Sequence, residues 1–316
     1  MKRRILIGIK LCLGLAIVGF LLAELHFDEL GALLRSGQPG RLWLSVLAFF
    51  AAMVGFQALR LHWLVRHHTG GLWQSYKLFF IGALFNNLLP SNVGGDAVRL
   101  LYLHRMGAGV GQPLALLLLH RISGLGVLLC GGFLYVLLRG QRLAALMGPL
   151  RAELPQIPAV LAVGVLALLA VTAVLLLRRS RLVERLATIA RDAATAIATI
   201  RASDWWVLIA LTVGFHALRL LGLSAAVSAL GSDADALDLI FVLAVAAVAA
   251  LLPISIAGLG LVEGSLSLLL VAFGVGKAAA IAAALINRAV LLLVALLGAL
   301  VYFGSRENRR PLEPAS

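Results

Sequence analysis

Six apolar runs dominate the chain, and each is long enough, at about 18 residues or more, to cross the hydrocarbon core of a bilayer as a helix. They cover residues 5–24, 42–64, 112–138, 157–177, 205–229 and 278–303. Because 62% of the residues are hydrophobic and only 13% are charged, with a mean hydropathy of +1.02, a water-soluble globule could not bury this apolar surface. We therefore expect an all-α integral membrane protein with about six transmembrane helices.

Two further apolar stretches, 72–103 and 238–276, are interrupted by proline, glycine and polar residues. Non-helical backbone at membrane depth is tolerated only where protein or a water-filled cavity surrounds it. The first stretch has basic residues at both ends, which indicates that both ends lie in the cytoplasm. We expect each stretch to form a re-entrant broken helical hairpin.

One short phrase occurs in both halves of the chain. Residues 55–61 read GFQALRL and residues 214–220 read GFHALRL, and two further matched pairs follow in the same order: Leu88-Leu89-Pro90 with Leu251-Leu252-Pro253, and His120-Arg121 with Asn287-Arg288. A shared order of motifs indicates duplication. In membrane transporters, duplicated halves meet along the transport path.

The charged loops predict that the second copy is inverted relative to the first. Basic residues precede the first apolar run and cluster between 178 and 201, whereas Asp233, Asp235 and Asp238 follow the run at 205–229. By the positive-inside bias, both termini are cytoplasmic and the two hairpins enter from opposite faces. We expect one transmembrane domain over 1–316, with a first repeat at 41–138, an amphipathic cytoplasmic connector at 178–203 that lies on the membrane or packs on the bundle, and a second, inverted repeat at 205–303.

Charge, cysteine and histidine usage exclude several other classes of protein. The net charge of +13 would favour nucleic acid in a soluble protein, but here the basic residues cluster at helix ends, so we expect no nucleic-acid partner. Cys12 and Cys130 both fall in apolar runs and offer no disulfide framework. His67 and His68 are adjacent and lie on different helical faces, so we expect neither a metal site nor a cofactor.

The first interrupted stretch contains the least lipid-like sequence at membrane depth. A proline ends its first helix and paired glycines permit unusual backbone angles, so the expected hinge residues are Pro90, Gly94 and Gly95. A new helix that begins inside the membrane presents free N–H groups to a phosphate or carboxylate. The expected substrate contacts are Asn92, Asp96 and Arg99. The alternative is a proline hinge whose polar groups satisfy one another.

The second interrupted stretch also combines a proline, glycines and polar residues. Its expected hinge residues are Pro253, Gly258 and Gly260, and its expected substrate contacts are Ser255 and Glu263. We interpret Glu263 as the counterpart of Arg99, with the charge exchanged. The two could pair across the pseudo-twofold axis, or one could hold a head group while the other receives a proton.

Four arginines sit inside apolar helices: Arg60, Arg121, Arg219 and Arg288. Each costs at least about 2.5 kcal/mol if it faces lipid at the membrane centre, so we expect these side chains to face the interior. Arg60 could instead snorkel to a helix end. Arg121, Arg219 and Arg288 join the expected substrate contacts. Counted with Arg99 against Asp96 and Glu263, these buried side chains carry an excess of positive charge. This excess favours an anion such as a lipid phosphate.

The paired motifs PSNVGGDAVR at 90–99 and GLGLVE at 258–263 resemble the lysylphosphatidylglycerol synthase transmembrane family over nearly the whole chain. Members form the flippase part of the multiple peptide resistance factor or stand alone. The resemblance implies functional roles for Asp96, Arg99, Glu263 and Arg288. Bifunctional members continue into a soluble aminoacyltransferase domain, whereas this sequence ends at Ser316, so we expect it not to synthesise the aminoacylated lipid.

Together these features favour a flippase of the bacterial inner membrane that moves an anionic or zwitterionic phospholipid between leaflets and is not an enzyme. We expect a basic midplane cavity between the two re-entrant hairpins to hold the head group. One alternative is an intramembrane enzyme that modifies a polyprenyl-linked, hopanoid or aminoacylated lipid, with Asp96 or Glu263 as acid or base. Another is an accessory subunit of a separate lipid-synthesising enzyme. The expected partners are membrane lipids, with that separate enzyme and a second copy of the chain as further candidates.

Overall fold

The computed structural model of the chain describes residues 38–89, 94–153, 191, 194–195, 197–198, 200–251 and 259–305, with the side chains of 147–153 left aside. Within these ranges the secondary structure is helical, without strands. The eight helices are α1 (Pro39–Thr69, with a π-helical turn at Ala51–Gln57), α2 (Leu72–Leu88), α3 (Gly94–Arg105), α4 (Gly111–Glu153), α5 (Ala202–Ala229), α6 (Ala236–Leu251), α7 (Leu261–Ala272) and α8 (Lys277–Gly304).

Four of these helices are long and apolar enough to cross a membrane, namely α1, the Gly111–Leu146 part of α4, α5 and α8. They coincide with four of the six predicted apolar runs, which confirms the all-helical membrane architecture. The runs at 5–24 and 157–177, and most of the connector at 178–203, lie outside the described residues. Helix α4 extends beyond its predicted end and is kinked at Arg139, where the backbone leaves helical angles.

Helices α1 and α5, which carry the two copies of the repeated phrase, pack against each other as antiparallel neighbours. The Gln38 N–H donates to the Ala229 carbonyl at 3.3 Å, and the Ser45 hydroxyl donates to the Gly222 carbonyl at 2.8 Å. At the opposite end of the pair, Arg66 donates to Asp204 at 3.1 Å. We call the end with Arg66 the first end, and the end with Gln38 the second end.

The two hairpins, α2–α3 and α6–α7, start from opposite ends of this helix pair. Helix α2 begins next to the end of α1 at the first end, and α6 begins after the end of α5 at the second end. Each hairpin also returns to its own end. Tyr102 and Met106 line a small crevice together with Gln74, while the Phe241 and Phe273 rings lie 6.2 Å apart near the second end.

The second helices of the two hairpins, α3 and α7, are both 12 residues long and end in the same way. Each is followed by a glycine with positive φ, Gly107 at 90° and Gly274 at 93°, a conformation that L side chains rarely adopt. The same two backbone hydrogen bonds close each helix, donated by Gly107 to His104 and by Ala108 to Leu103 in one case, and by Gly274 to Val271 and by Val275 to Leu270 in the other. The duplication therefore extends to the capping geometry.

Glycines allow α8 to approach the α2–α3 hairpin closely and α4 to approach the α6–α7 hairpin closely. In α8, a Cβ on Gly298 would collide with the Phe80 carbonyl of α2, and in α4 a Cβ on Gly132 would lie 3.1 Å from the Ala244 side chain of α6. Such close approaches favour helix association where lipid supplies no hydrophobic driving force. One cluster of buried apolar side chains surrounds each hairpin, and a cavity lies between them.

We predict that Gly298→Ala separates α8 from α2 and destabilises the protein by about 1–3 kcal/mol, because overpacking forces the backbone to shift. Gly126→Ala is the matched control, since a Cβ at Gly126 meets nothing within 4 Å. Thermal unfolding in mild detergent compares the two variants. Equal midpoints for Gly298→Ala and Gly126→Ala would contradict this packing.

Candidate functional site

A cavity of about 520 Å³ opens where the two halves meet, and all eight described helices contribute to its wall. Most of the wall is apolar. Its polar residues are Gln57, Arg60, Asn86, Asp96, Arg99, His120, Arg121, His216, Arg219, Asn287 and Arg288. A volume of this size is ordinary for a small-molecule pocket.

Asp96, in the first turn of α3, binds two arginines at once. The Arg99 Nη1 donates to Asp96 Oδ1 at 2.7 Å, and the Arg121 Nε of α4 donates to Asp96 Oδ2. Arg99 also donates to the Phe79 carbonyl at 3.2 Å. A Cβ on Gly82 would lie 2.6 Å from the Arg99 guanidinium carbon, so only glycine leaves room for it. This side of the cavity is a compact network of one acid and two bases.

Glu263, in the first turn of α7, binds the arginine of the second half. The Arg288 Nε of α8 donates to Glu263 Oε1, and the Gly260 N–H donates to Glu263 Oε2 at 2.6 Å. The second bond caps the helix, because the carboxylate satisfies an N–H that the helix leaves free. Glu263 is only 1% exposed, so this pair lies behind the cavity wall and shows only Arg288 to the cavity.

The two ion pairs occupy equivalent positions in the repeats. In both cases the arginine follows the carboxylate by 25 residues, and the carboxylate is the third residue of a 12-residue helix. Glu263 is therefore the counterpart of Asp96, and the interpretation of Glu263 as the counterpart of Arg99 was wrong. Arg99 and Glu263 do not pair in this structure, because each binds a partner in its own half.

Arg60 and Arg219, which belong to the two copies of the repeated phrase, line the cavity without a carboxylate partner among the described residues. Arg60 is 3% exposed, which excludes snorkelling here. Its Nη2 donates to the His120 carbonyl at 3.0 Å and its Nη1 to the Thr212 hydroxyl at 3.4 Å, while its Nε has no partner among the described residues. The guanidinium carbons of Arg60 and Arg219 lie 5.5 and 5.6 Å from the centre of the Phe215 ring.

The π-helical turn in α1 contains the first copy of the phrase up to Gln57. π-Helical turns are rare and occur mostly at functional sites. Met53 and Gln57 of this turn line the cavity. The Phe56 ring packs against Gly214, where a Cβ would lie 2.6 Å from a ring carbon. The turn thus sets both the α1–α5 contact and the residues that α1 offers to the cavity.

The structure brings together five of the eight predicted substrate contacts at the cavity wall: Asp96, Arg99, Arg121, Arg219 and Arg288. Glu263 lies directly behind Arg288. Asn92 and Ser255, with the predicted hinges Pro90, Pro253 and Gly258, lie outside the described residues. The other predicted hinges are Gly94 and Gly95, the first residues of α3, and Gly260, the N-cap of α7.

Sequence reasoning missed several residues of the site, most clearly Arg60, Phe215 and His216. All three belong to the repeated phrase, so the repeat itself carried the signal. Of the residues in this phrase, only Arg60 and Arg219 were expected to face the interior, and only Arg219 was named as a substrate contact. In both copies of the phrase, the arginine follows the phenylalanine at the same spacing. In the second copy this spacing places Phe215 and Arg219 one turn apart on α5.

The cavity wall includes exposed apolar residues of α4 and α6. Ile122, on α4, is 64% exposed, and Leu251, at the end of α6, is 51% exposed; both line the cavity. The Arg121 side chain, which also lines the cavity, is 32% exposed. The cavity wall is therefore partly open at these residues.

The described residues contain no group of three or more His, Cys, Asp or Glu side chains that could hold a metal ion. Five arginines line the cavity, and two carboxylates, Asp96 and Glu263, compensate them. The described site therefore has an excess of three positive charges when its histidines are neutral. Such a site suits an anion.

We predict that Glu263→Gln destabilises the protein by about 3–5 kcal/mol, because it leaves Arg288 as a buried unpaired charge. Replacing both partners, Glu263→Leu with Arg288→Met, should restore most of this loss. Asp235→Asn is the control, since its ion pair with Arg139 at 2.8 Å is exposed and contributes at most about 1 kcal/mol. Thermal unfolding of the four proteins measures these differences. Equal effects of Glu263→Gln and Asp235→Asn would contradict a buried pair.

Comparison with known proteins places this site in a family. Searches of curated proteins and of solved structures gave no significant match. The sequence model of the lysylphosphatidylglycerol synthase transmembrane region matches residues 5–298, which covers every described helix up to the last turns of α8. The match includes both ion pairs and the cavity, and it confirms the resemblance seen in the paired motifs. The chain belongs to the lysylphosphatidylglycerol synthase transmembrane family.

Proposed function

We propose that this protein is a lipid transporter that moves an anionic or zwitterionic phospholipid between the leaflets of the bacterial inner membrane. The observation that carries the proposal is an apolar cavity that is lined by five arginines and by exposed apolar residues of α4 and α6. A lipid head group needs charged and hydrogen-bonding partners, whereas its acyl chains need only an apolar path. The cavity and its rim offer both.

The arrangement of the hairpins supports alternating access. Each hairpin starts from its own end of the α1–α5 pair, and the tips of both hairpins border the cavity through Asn86 and Leu251. Movement of one hairpin opens the cavity towards one face, while the other hairpin keeps the opposite face closed. Transporters built from inverted repeats expose a central site in this way.

The two equivalent ion pairs provide the contacts that such movement would exchange. Asp96 joins α3 to α4, and Glu263 joins α7 to α8, so each pair ties the second helix of a hairpin to a long helix. An incoming phosphate competes with these carboxylates for the same guanidinium groups. Substrate binding and hairpin movement are therefore coupled through Arg121 and Arg288.

The charge of the two ends supports a cytoplasmic first end. That end carries Arg66, Arg105 and Arg201 against Asp204, whereas the second end carries three aspartates, Asp233, Asp235 and Asp238, among its basic residues. The positive-inside bias places the first end, and with it the C-terminal end of α8, in the cytoplasm. The α2–α3 hairpin then enters from the cytoplasm and the α6–α7 hairpin from the periplasm.

We predict that Ile122→Trp slows lipid movement at least about tenfold, because a larger ring at the rim blocks entry from the bilayer. Leu137→Trp is the matched control, since Leu137 is 66% exposed on the same helix and outside the cavity wall. Proteoliposomes that contain fluorescent phosphatidylglycerol, with dithionite quenching of the outer leaflet, measure the rate. Folded wild-type protein that moves no lipid, or a lipid that is chemically altered and stays in its leaflet, would overturn the proposal.

The orientation gives a separate prediction. In a chain with Cys12 and Cys130 replaced by alanine, Asp233→Cys should react with a membrane-impermeant maleimide added to spheroplasts, because the second end faces the periplasm. His104→Cys, at the first end, should react only after the membrane is permeabilised. Both positions are exposed in the structure. The reverse pattern would show that the orientation is opposite.

A further inference from the structure

The arginines of the cavity fall into two sets with different partners. Arg99, Arg121 and Arg288 each bind a carboxylate. Arg60 and Arg219 bind none among the described side chains, although both line the cavity. The first set shares two carboxylates, whereas the second set has no carboxylate partner in the described part of the chain.

Arg60 and Arg219 converge on one aromatic ring. Their guanidinium carbons lie 5.5 and 5.6 Å from the centre of the Phe215 ring, so they are no further apart than the sum of those two distances. Phe215 itself is buried. Attraction to the ring holds each cation in place, but it offers no hydrogen-bond acceptor and cannot neutralise either charge.

Hydrogen-bond donors of both arginines lack a partner in the described part of the chain. The buried Nε of Arg60 has none among the described residues, and the Arg219 guanidinium makes no hydrogen bond there. Arg60 is also held from behind by the His120 carbonyl and Thr212, which fixes its direction. Unpaired donors on buried, oriented side chains are costly unless a ligand satisfies them.

From this arrangement we propose that Arg60 and Arg219 form a binding site for the phosphate of a phosphomonoester lipid, and that the cavity selects against lipids with a net positive head group. The inference rests on the proposed transport function and narrows its substrate class. A phosphomonoester carries between about one and a half and two negative charges at neutral pH and can accept from two guanidinium groups at once. The excess of three positive charges at the site repels an aminoacylated, net-positive lipid.

Binding to the purified full-length protein in detergent tests this selection. The probes are dioctanoyl phosphatidate and farnesyl phosphate, which are both phosphomonoesters, together with dioctanoyl phosphatidylglycerol and dioctanoyl lysylphosphatidylglycerol. We expect the phosphomonoesters to bind most tightly and the lysylated lipid most weakly, by isothermal titration calorimetry. The tighter of the two phosphomonoesters identifies the tail that the cavity prefers. Equal or tighter binding of the lysylated lipid would overturn the inference.

Substitutions test the residues. Arg60→Gln and Arg219→Gln should each weaken phosphomonoester binding about tenfold or more, since each removes charge-assisted hydrogen bonds. Arg105→Gln is the matched control, because Arg105 also lies over an aromatic ring, Tyr102, at 5.8 Å but outside the cavity wall. If Arg60→Gln fails to fold, Arg219→Gln carries the test, since its side chain makes no hydrogen bond in the described structure. Unchanged affinity in a folded Arg219→Gln protein would refute the site.

The two proposals fail in different ways. Phosphomonoester binding that depends on Arg219, in a protein that moves no lipid in proteoliposomes, would refute transport and leave the anion site intact. Lipid movement that is equally fast for phosphatidate and the lysylated lipid, and unaffected by Arg219→Gln, would refute the anion site and leave transport intact.

Discussion

An arginine inside an apolar helix bundle must either meet an anion or reach water, because its charge cannot be removed at any accessible pH. Five arginines line one cavity, so each of them must meet an anion or reach water. The positions of the helices around the cavity follow from how each arginine does so. Two of the short helices begin within reach of the cavity, and each places a carboxylate in its first turn. Those two carboxylates bind three of the arginines. The remaining two define where a substrate anion is needed.

The two hairpins carry similar ion pairs that are not identical. Asp96 is shared by Arg99 and Arg121 and forms part of the cavity wall. Among the described residues, Glu263 binds Arg288, caps its own helix and lies behind the wall. Asp96 is therefore the more accessible of the two carboxylates from the cavity. If the proposed transport holds, the contacts of the first hairpin are the ones that a substrate reaches more directly.

Much of the fold could be predicted from the sequence, because the apolar runs and the repeated phrase report helix length and duplication directly. The runs at 42–64, 112–138, 205–229 and 278–303 all lie within helices. The register of the second hairpin was misjudged, because its glycines are spaced differently from Gly94 and Gly95. Aligning the glycines of the two stretches pairs Glu263 with Arg99. Aligning the arginines that follow each carboxylate by 25 residues pairs Glu263 with Asp96 instead.

A basic cavity between the two hairpins was expected, but its wall could not be predicted, since the wall depends on which faces of distant helices meet. Arg60 was interpreted as a candidate for snorkelling because it lies towards the end of an apolar run. Only packing against α5 shows that it is enclosed, with Thr212 and Phe215 beside it. The π-helical turn at Ala51–Gln57 also has no signature in the sequence. The close fit of Phe56 of this turn on Gly214 is likewise visible only in the structure.

In the proposed site, Arg60 and Arg219, which have no carboxylate partner among the described residues, hold a lipid phosphate between the halves of the protein. Native mass spectrometry of the protein, purified in mild detergent from its membrane, tests this claim most directly by identifying the lipid that stays bound. The account predicts a retained lipid with a terminal phosphate, which is lost when Arg60 and Arg219 are both replaced by glutamine. Retention of a net-positive lipid, or equal retention of lipid by the double variant, would contradict it.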